Sequence, residues 1–351
     1  MRKRKPTIVV DTYGGAAAPQ GIVAAAARMA RQGVARVVLV GDVARMQECL
    51  SLLPYDPMTL RLVGAPAAYP RQPGDTQAQA RAARLGLPIA MELLRTGEAD
   101  ALLTASPQAL VLELAELHLA KLPGLSAVAA AAVFPTMPRA SGDDPLALLL
   151  DVSGRRVTSA DELVAFAVLG STYSRVVTGV TEPHVALLST GAEPGDGPPD
   201  VVEAHQKLKR IIGLRFMGNV TATDLARGHA DVVVADGLVG HTVRGLLEGL
   251  TTLTVEAARY AWRTRMTWQL GLRLLDRGVG MLRKVSEFQQ YGGAPVLGLQ
   301  HLVLIASPES AEVAFENAIK LATRCTHRDL QEELAQALGR VVEARDGVPH
   351  G

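Results

Sequence analysis

The sequence predicts a doubly wound α/β fold, one sheet covered by helices on both faces. Three observations carry that prediction. Short β-branched runs alternate with longer alanine- and leucine-rich stretches along the chain. Most of the short runs are continuously apolar, as strands buried on both faces are. The chain has 351 residues, 48% of them hydrophobic, which is ample for one large core.

In chain order, "TIVVD", "ARVVLVG", "TLRLVGA", "ADALLTA", "LALLLDV", "HVALLST", "LRFMGN" and "ADVVVADG" read as strands, and "APVLGLQHLVLIA" as buried strand or turn. Residues 21–32, 78–96 and 107–122 read as helices between them. "MPRASGDDP" and "GAEPGDGPPD" read as surface loops. No internal repeat is visible. The expectation is a single domain over 1–351, with a basic helical arm over about 255–290.

Composition narrows the function. A formal net charge of +1 argues against a nucleic-acid partner. Two cysteines, Cys49 and Cys325, make neither a disulfide framework nor a metal cluster, which points to a reducing cytoplasm and to no metal. The apolar run after "MRKRKP" is too short for a signal peptide, and no run is long enough for a membrane span.

Ligands of such sheets sit beyond the carboxyl ends of the strands, so the candidate residues are sought there. Asp11 ends the first strand, and Gly14 and Gly15 follow it, a layout that lets a ligand approach the backbone. The plainer reading is a strand-to-helix turn with Asp11 bonding nearby amides. Thr104 and Ser106 lie in "TASPQAL", where Ser106 and Pro107 form a good N-cap and N1 pair for a helix whose start could also take an anion. Asp236, Gly237, Gly240 and His241 lie in "VVVADGLVGHTVRG", a strand–turn–helix in which His241 is either a phosphate donor or an uncommitted histidine. Tyr291, Gly292 and Gly293 form a second Gly-Gly turn beside an apolar strand, and the two turns are expected to share a cleft.

From Arg259 to Lys284 there are seven Lys or Arg residues and one acid, Asp276. Trp262, Met266, Leu270 and Leu274 recur every four residues, giving one apolar helical face. Such a helix packs on the body or on a dimer partner, or lies on an anionic membrane surface.

Taken in order, "VVDTYGGAAAP", "ELLRTGEADALLTA", "LLLDVSGRRVTSADELVAFAVLGSTYS", "PHVALLSTGAEPGDG", "FMGNVTATDLARGHADVVVADGLVGHTV" and "YGGAPVLGL" resemble the phosphate acyltransferases of bacterial phospholipid synthesis, the PlsX family. The resemblance covers about residues 7–322. It implies a three-layer α/β/α sandwich of the isocitrate dehydrogenase-like and phosphotransacetylase-like kind, in a homodimer. It also implies acyl transfer from acyl carrier protein to inorganic phosphate without metal or organic cofactor, in a cytoplasmic protein held peripherally at the membrane. On this reading Asp11, Asp236 and His241 are the catalytic candidates. Gly14, Gly15, Thr104, Ser106, Asn219, Gly237, Gly240, Tyr291, Gly292 and Gly293 are the substrate-binding ones, and Arg155 adds a cation if it faces the cleft.

Polar positions depart from the family pattern more than glycines and strands do. Ala16 stands for an Asp, and Ser106, Pro107, Gln108 and Ala109 for Gly-Asn-Thr-Gly. Ser153, Arg155 and Val157 replace Gly, Asn and Asp. Ala192, Pro194 and Asp196 interrupt a Gly-Glu-Glu loop. His241 replaces an Asn, and Gly245 and Ile305 each replace a Lys. Three readings follow: an active phosphate acyltransferase with a rebuilt site, a paralogue that binds acyl carrier protein or acyl groups as a regulator, or an enzyme of the same fold acting on another acyl or phosphorylated substrate.

The basic segment yields a direct test. Each basic residue near an anionic surface contributes about 1 kcal/mol, so the protein is expected to float with anionic vesicles at low salt and to be released at high salt. No flotation at low salt would leave the packed-helix reading.

Overall fold

The structure is a computed structural model that describes residues 4–65, 76–136, 146–264 and 292–346. The first half alternates strictly: β1 (Thr7–Asp11), α1 (Gln20–Arg31), β2 (Arg36–Gly41), α2 (Val43–Ser51), β3 (Leu60–Gly64), α3 (Thr76–Arg95), β4 (Ala101–Thr104) and α4 (Gln108–His118). Two strands, β5 (Ala129–Pro135) and β6 (Leu146–Leu150), lead to α5 (Ala160–Thr178). Then come β7 (Val185–Leu188), α6 (Pro199–Leu208), β8 (Phe216–Val220), α7 (Ala222–Arg227), β9 (Val232–Val234) and α8 (Gly237–Thr264). A hairpin of β10 (Ala294–Leu297) and β11 (Leu302–Ile305) precedes α9 (Glu312–His327) and α10 (Leu330–Asp346).

Among the described residues the strands form one sheet in the order β3-β2-β1-β4-β11-β10-β5-β6-β9-β7-β8. The continuous apolar runs explain why both faces are covered. Ile8 and Val10 of β1 enter one core with residues of α1, α5 and α9, while Val9 enters the other with residues of α3 and α4. On the β6–β9 side, α7 and α8 close that second face through Leu225, Val243 and Leu247. The result is the expected α/β/α sandwich.

The strands around the centre are not the simple parallel array of a doubly wound sheet. β10 and β5 each pair antiparallel with both neighbours. β5, "AAAAVFP", is a strand that propensity conceals, because alanine is a poor strand former. Here Ala129, Ala130 and Ala131 are buried between flanking strands, and tertiary context overrides the local preference.

This reversal positions the site. β1, β4 and β11 run one way; β6, β9, β7 and β8 run the other. Register pairs Val10 with Leu103, Thr104 with Ile305, and Ile305 with Ala294, so the carboxyl ends of β1, β4 and β11 share a row with the start of β10. Val296 pairs with Ala130 and Ala131 with Leu150, so β6 ends within two residues of that row, roughly 7 Å along the strands. The carboxyl ends of the two halves therefore face each other across β10 and β5.

α5 crosses the second half closely at Gly170, where a Cβ would lie 2.6 Å from Val232 Cγ1 and 3.2 Å from Leu150 Cδ2. Gly170→Leu is expected to cost about 1–3 kcal/mol through overpacking, read as a lower urea midpoint at unchanged m-value.

Candidate active site

Two buried carboxylates stand at the facing carboxyl ends. Asp11, with no exposed surface, continues β1 beyond its apolar run. Its Oδ2 accepts the hydroxyls of Thr104 (2.9 Å) and Ser106 (3.0 Å), and its Oδ1 accepts the Tyr13 N–H (3.1 Å). Burial pushes its pKa up, and those three donors oppose the shift.

Asp151, also fully buried, follows β6 in the same manner. Its Oδ1 accepts the N–H groups of Ala130 (2.9 Å) and Ser153 (2.8 Å), and its Oδ2 accepts the Ser153 hydroxyl. Arg155 approaches that oxygen at 3.3 Å. Burial again raises the pKa, opposed by the Ser153 hydroxyl, the Ala130 N–H and the Arg155 charge. Both aspartates thus end an apolar strand and bind the amide two residues on. Sequence reasoning singled out Asp11 and passed over Asp151, although "LLLDVSG" repeats the layout of "IVVDTYGG".

The first Gly-Gly turn is wedged between strand ends. A Cβ on Gly14 would lie 2.4 Å from Ser106 N, and Gly15 takes φ +88° beside Pro308. The N–H groups of Gly14 and Gly15 have no acceptor among the described residues. Gly292 and Gly293, with φ +98° and +101°, flank the end of β11 from its other side: Gly292 lies against Asn317 of α9 and Gly293 against Ile305. Both turns therefore border residues 305–308. Tyr291 lies outside the described residues, as does the basic segment after Thr264.

At the head of α8, Asp236 caps the helix, its Oδ1 accepting the N–H groups of Leu238 (3.0 Å) and Val239 (3.4 Å). Gly237 packs against Asp151 and Ser153, and a Cβ on Gly240 would lie 1.9 Å from Asp151 O. His241 is exposed, with Nδ1 3.4 Å from Val152 O. Asp11, Thr104, Ser106 and Gly14 form one cluster, and Gly237, Gly240 and His241 join the Asp151 cluster. Gln108 links the two, donating to Val152 O at 2.7 Å.

Other expectations are corrected. Ser106 is not the cap of α4: its hydroxyl donates to Asp11, and the helix starts at Gln108 with Pro107 in the cap position. The hydroxyls of Thr104 and Ser106 both donate to Asp11. Arg155 is held by Asp151 and Glu162 over the Phe166 ring, 5.7 Å from its centroid, where it serves as counterion to a buried carboxylate. Asn219 is on the edge strand β8, where its amide donates to Glu193 O (2.8 Å) and its oxygen meets His205 Nδ1 (2.8 Å), bracing the 189–197 loop. Among the described residues no group of His, Cys, Asp or Glu could hold a metal ion, and no helix is long and apolar enough to cross a membrane.

Known proteins are similar to this chain in sequence or in fold. A family model described as "Fatty acid synthesis protein" matches residues 6–333. A phosphate acyltransferase of Brevibacillus brevis is 32% identical over 335 residues, 94% of this chain and 97% of the relative. One from Myxococcus xanthus is 34% identical over 336 residues, 95% and 94% of the two chains. A solved phosphotransacetylase from Streptococcus pyogenes matches with a TM-score of 0.59 over 92% of this chain and 94% of that one; at 16% identity the likeness is one of fold.

The buried carboxylates set a pH dependence. Their folded pKa values lie above the unfolded ones, so their stabilising contribution is full below about pH 4 and is lost as pH rises through the folded values. Urea unfolding of the parent and of Asp11→Asn between about pH 4 and 7 should therefore give a stability difference that shifts in favour of the variant as pH rises. A difference independent of pH would mean that Asp11 keeps its ordinary pKa.

Proposed function

The chain belongs to the fatty acid synthesis protein family, that of the phosphate acyltransferases, and from that premise we propose that it transfers a fatty acyl group from acyl carrier protein to inorganic phosphate. Membership makes it an acyltransferase of fatty acid and phospholipid synthesis. The donor, the acceptor and the residue roles below are our reading. The observation that carries it is the meeting of the two carboxyl edges at Asp11 and Asp151, bridged by Gln108, which offers one place for two reactants.

A phosphate oxygen attacks the thioester carbonyl carbon. The carbonyl oxygen becomes an oxyanion, the C–S bond breaks, and the thiolate takes the proton that hydrogen phosphate gives up. Acyl phosphate and carrier thiol result. Phosphate is nucleophilic enough at neutral pH to make a covalent enzyme intermediate unnecessary. The N–H groups of Gly14 and Gly15 are suited to the developing oxyanion, since no acceptor among the described residues occupies them. Asp11 positions the Thr104–Ser106 turn against that loop. His241, exposed beside Val152 O, is suited to meet phosphate. We further propose a homodimer, and peripheral membrane attachment through the basic segment.

Incubating the purified protein with acyl carrier protein thioester and phosphate should give acyl phosphate in proportion to phosphate. His241→Ala should lower kcat/KM for phosphate about tenfold or more while changing unfolding free energy by less than about 0.5 kcal/mol. Binding of acyl carrier protein without turnover would instead favour the regulator reading.

A further inference from the structure

A closed set of polar contacts crosses the junction between the two halves. Gln108, the first residue of α4, donates through Nε2 to Val152 O (2.7 Å) and accepts through Oε1 from Arg244 Nη1 (2.8 Å). The same Val152 carbonyl faces His241 Nδ1 at 3.4 Å. His241 and Arg244 are three residues apart on α8, so they share a helical face. The guanidinium is thereby drawn over the β6–α5 loop, beside the residue that follows Asp151.

Arg244 and Arg155 differ in what they neutralise. Arg155 lies against Asp151, a carboxylate with no exposed surface, and is bound to that task. Among the described residues the one carboxylate within ion-pair range of Arg244 is that of half-exposed Glu248, whose oxygen lies 3.3 Å from Nε; that nitrogen is buried and makes no aligned hydrogen bond among them. Its contact across the junction between the two halves is a neutral amide oxygen. A guanidinium carries five donors in a planar fork and pairs best with a bidentate anion. A phosphate dianion is a far stronger partner than an amide oxygen and brings charge that this partly buried place must neutralise.

We infer that Arg244 binds the phosphate that accepts the acyl group, with Gln108 holding the guanidinium in place until phosphate replaces it. The assignment rests on the acyl-transfer reading above. It supplies the cation that Arg155, turned to Asp151, does not. An interaction made equally with bound phosphate and with the transition state raises KM when lost and leaves kcat nearly unchanged.

The test measures phosphate binding and turnover separately on the full chain. Titration calorimetry with inorganic phosphate is run on the parent, Arg244→Ala, Arg244→Lys and the control Arg215→Ala, whose side chain pairs with exposed Glu182. Loss of a charged hydrogen bond predicts that Arg244→Ala weakens phosphate binding about tenfold to a hundredfold, that Arg244→Lys recovers part of it, and that Arg215→Ala matches the parent. With acyl carrier protein thioester as donor, Arg244→Ala should raise KM for phosphate by the same factor. Melting curves confirm that each variant is folded; if Arg244→Ala is not, Arg244→Gln takes its place. Unchanged phosphate affinity in a folded Arg244 variant overturns the assignment even if the parent is an active acyltransferase. Phosphate binding that depends on Arg244 in a parent without acyl transfer supports the assignment and overturns the reaction. A parent that neither binds phosphate nor turns over overturns both.

Discussion

A reversal of strand direction at the middle of the sheet governs the rest of the molecule. The carboxyl ends of two sets of parallel strands point toward each other only where something turns one set around. β10 and β5, antiparallel to each other and to their outer neighbours, do so. Because β10 comes from near the end of the chain and β5 from its middle, the junction is closed only when distant segments meet. The loops after β1, β4, β6 and β9 then meet: Gly14 packs on Ser106, Gln108 donates to Val152 O, and Gly237 and Gly240 pack on Asp151.

Placing two carboxylates at that junction is costly unless every oxygen is met. An unpaired buried carboxylate loses several kcal/mol of hydration, so its neighbours are constrained more tightly than in an ordinary turn. Asp11 takes an amide and two hydroxyls; Asp151 takes two amides, a hydroxyl and a guanidinium. Ser106 supplies a hydroxyl to Asp11, Ser153 supplies one to Asp151, and Arg155 is a counterion to the second acid. These side chains support one another around the two acids.

The glycines are required for a different reason. At Gly14 and Gly240 a single carbon would collide with backbone at 2.4 Å and 1.9 Å, and backbone cannot move aside without dragging a strand end with it. Side-chain chemistry at the junction can be exchanged by local repacking, whereas the approach of one main chain to another cannot.

By itself the sequence determined what local chemistry controls. Continuous apolar runs marked the buried strands, alternation with helical stretches gave the α/β class, and the aspartate–glycine turns marked strand ends. The places of Asp11, Thr104, Asp236 and His241 in the fold were legible because each sits at a recognisable strand or helix boundary. Tertiary structure alone decided what depends on partners far away in the chain. Alanine-rich β5 is a strand because its neighbours make it one. The Ser106 hydroxyl turns from its own helix to Asp11, 95 residues earlier, because a buried carboxylate outcompetes a helix cap. Asn219, a substrate-binding candidate only by the family resemblance, braces a loop on the edge strand. Asp151, Gln108 and Arg244 gained their places only when the sheet reversed and brought their loops together, because register across the sheet is set by packing between segments that no local pattern relates.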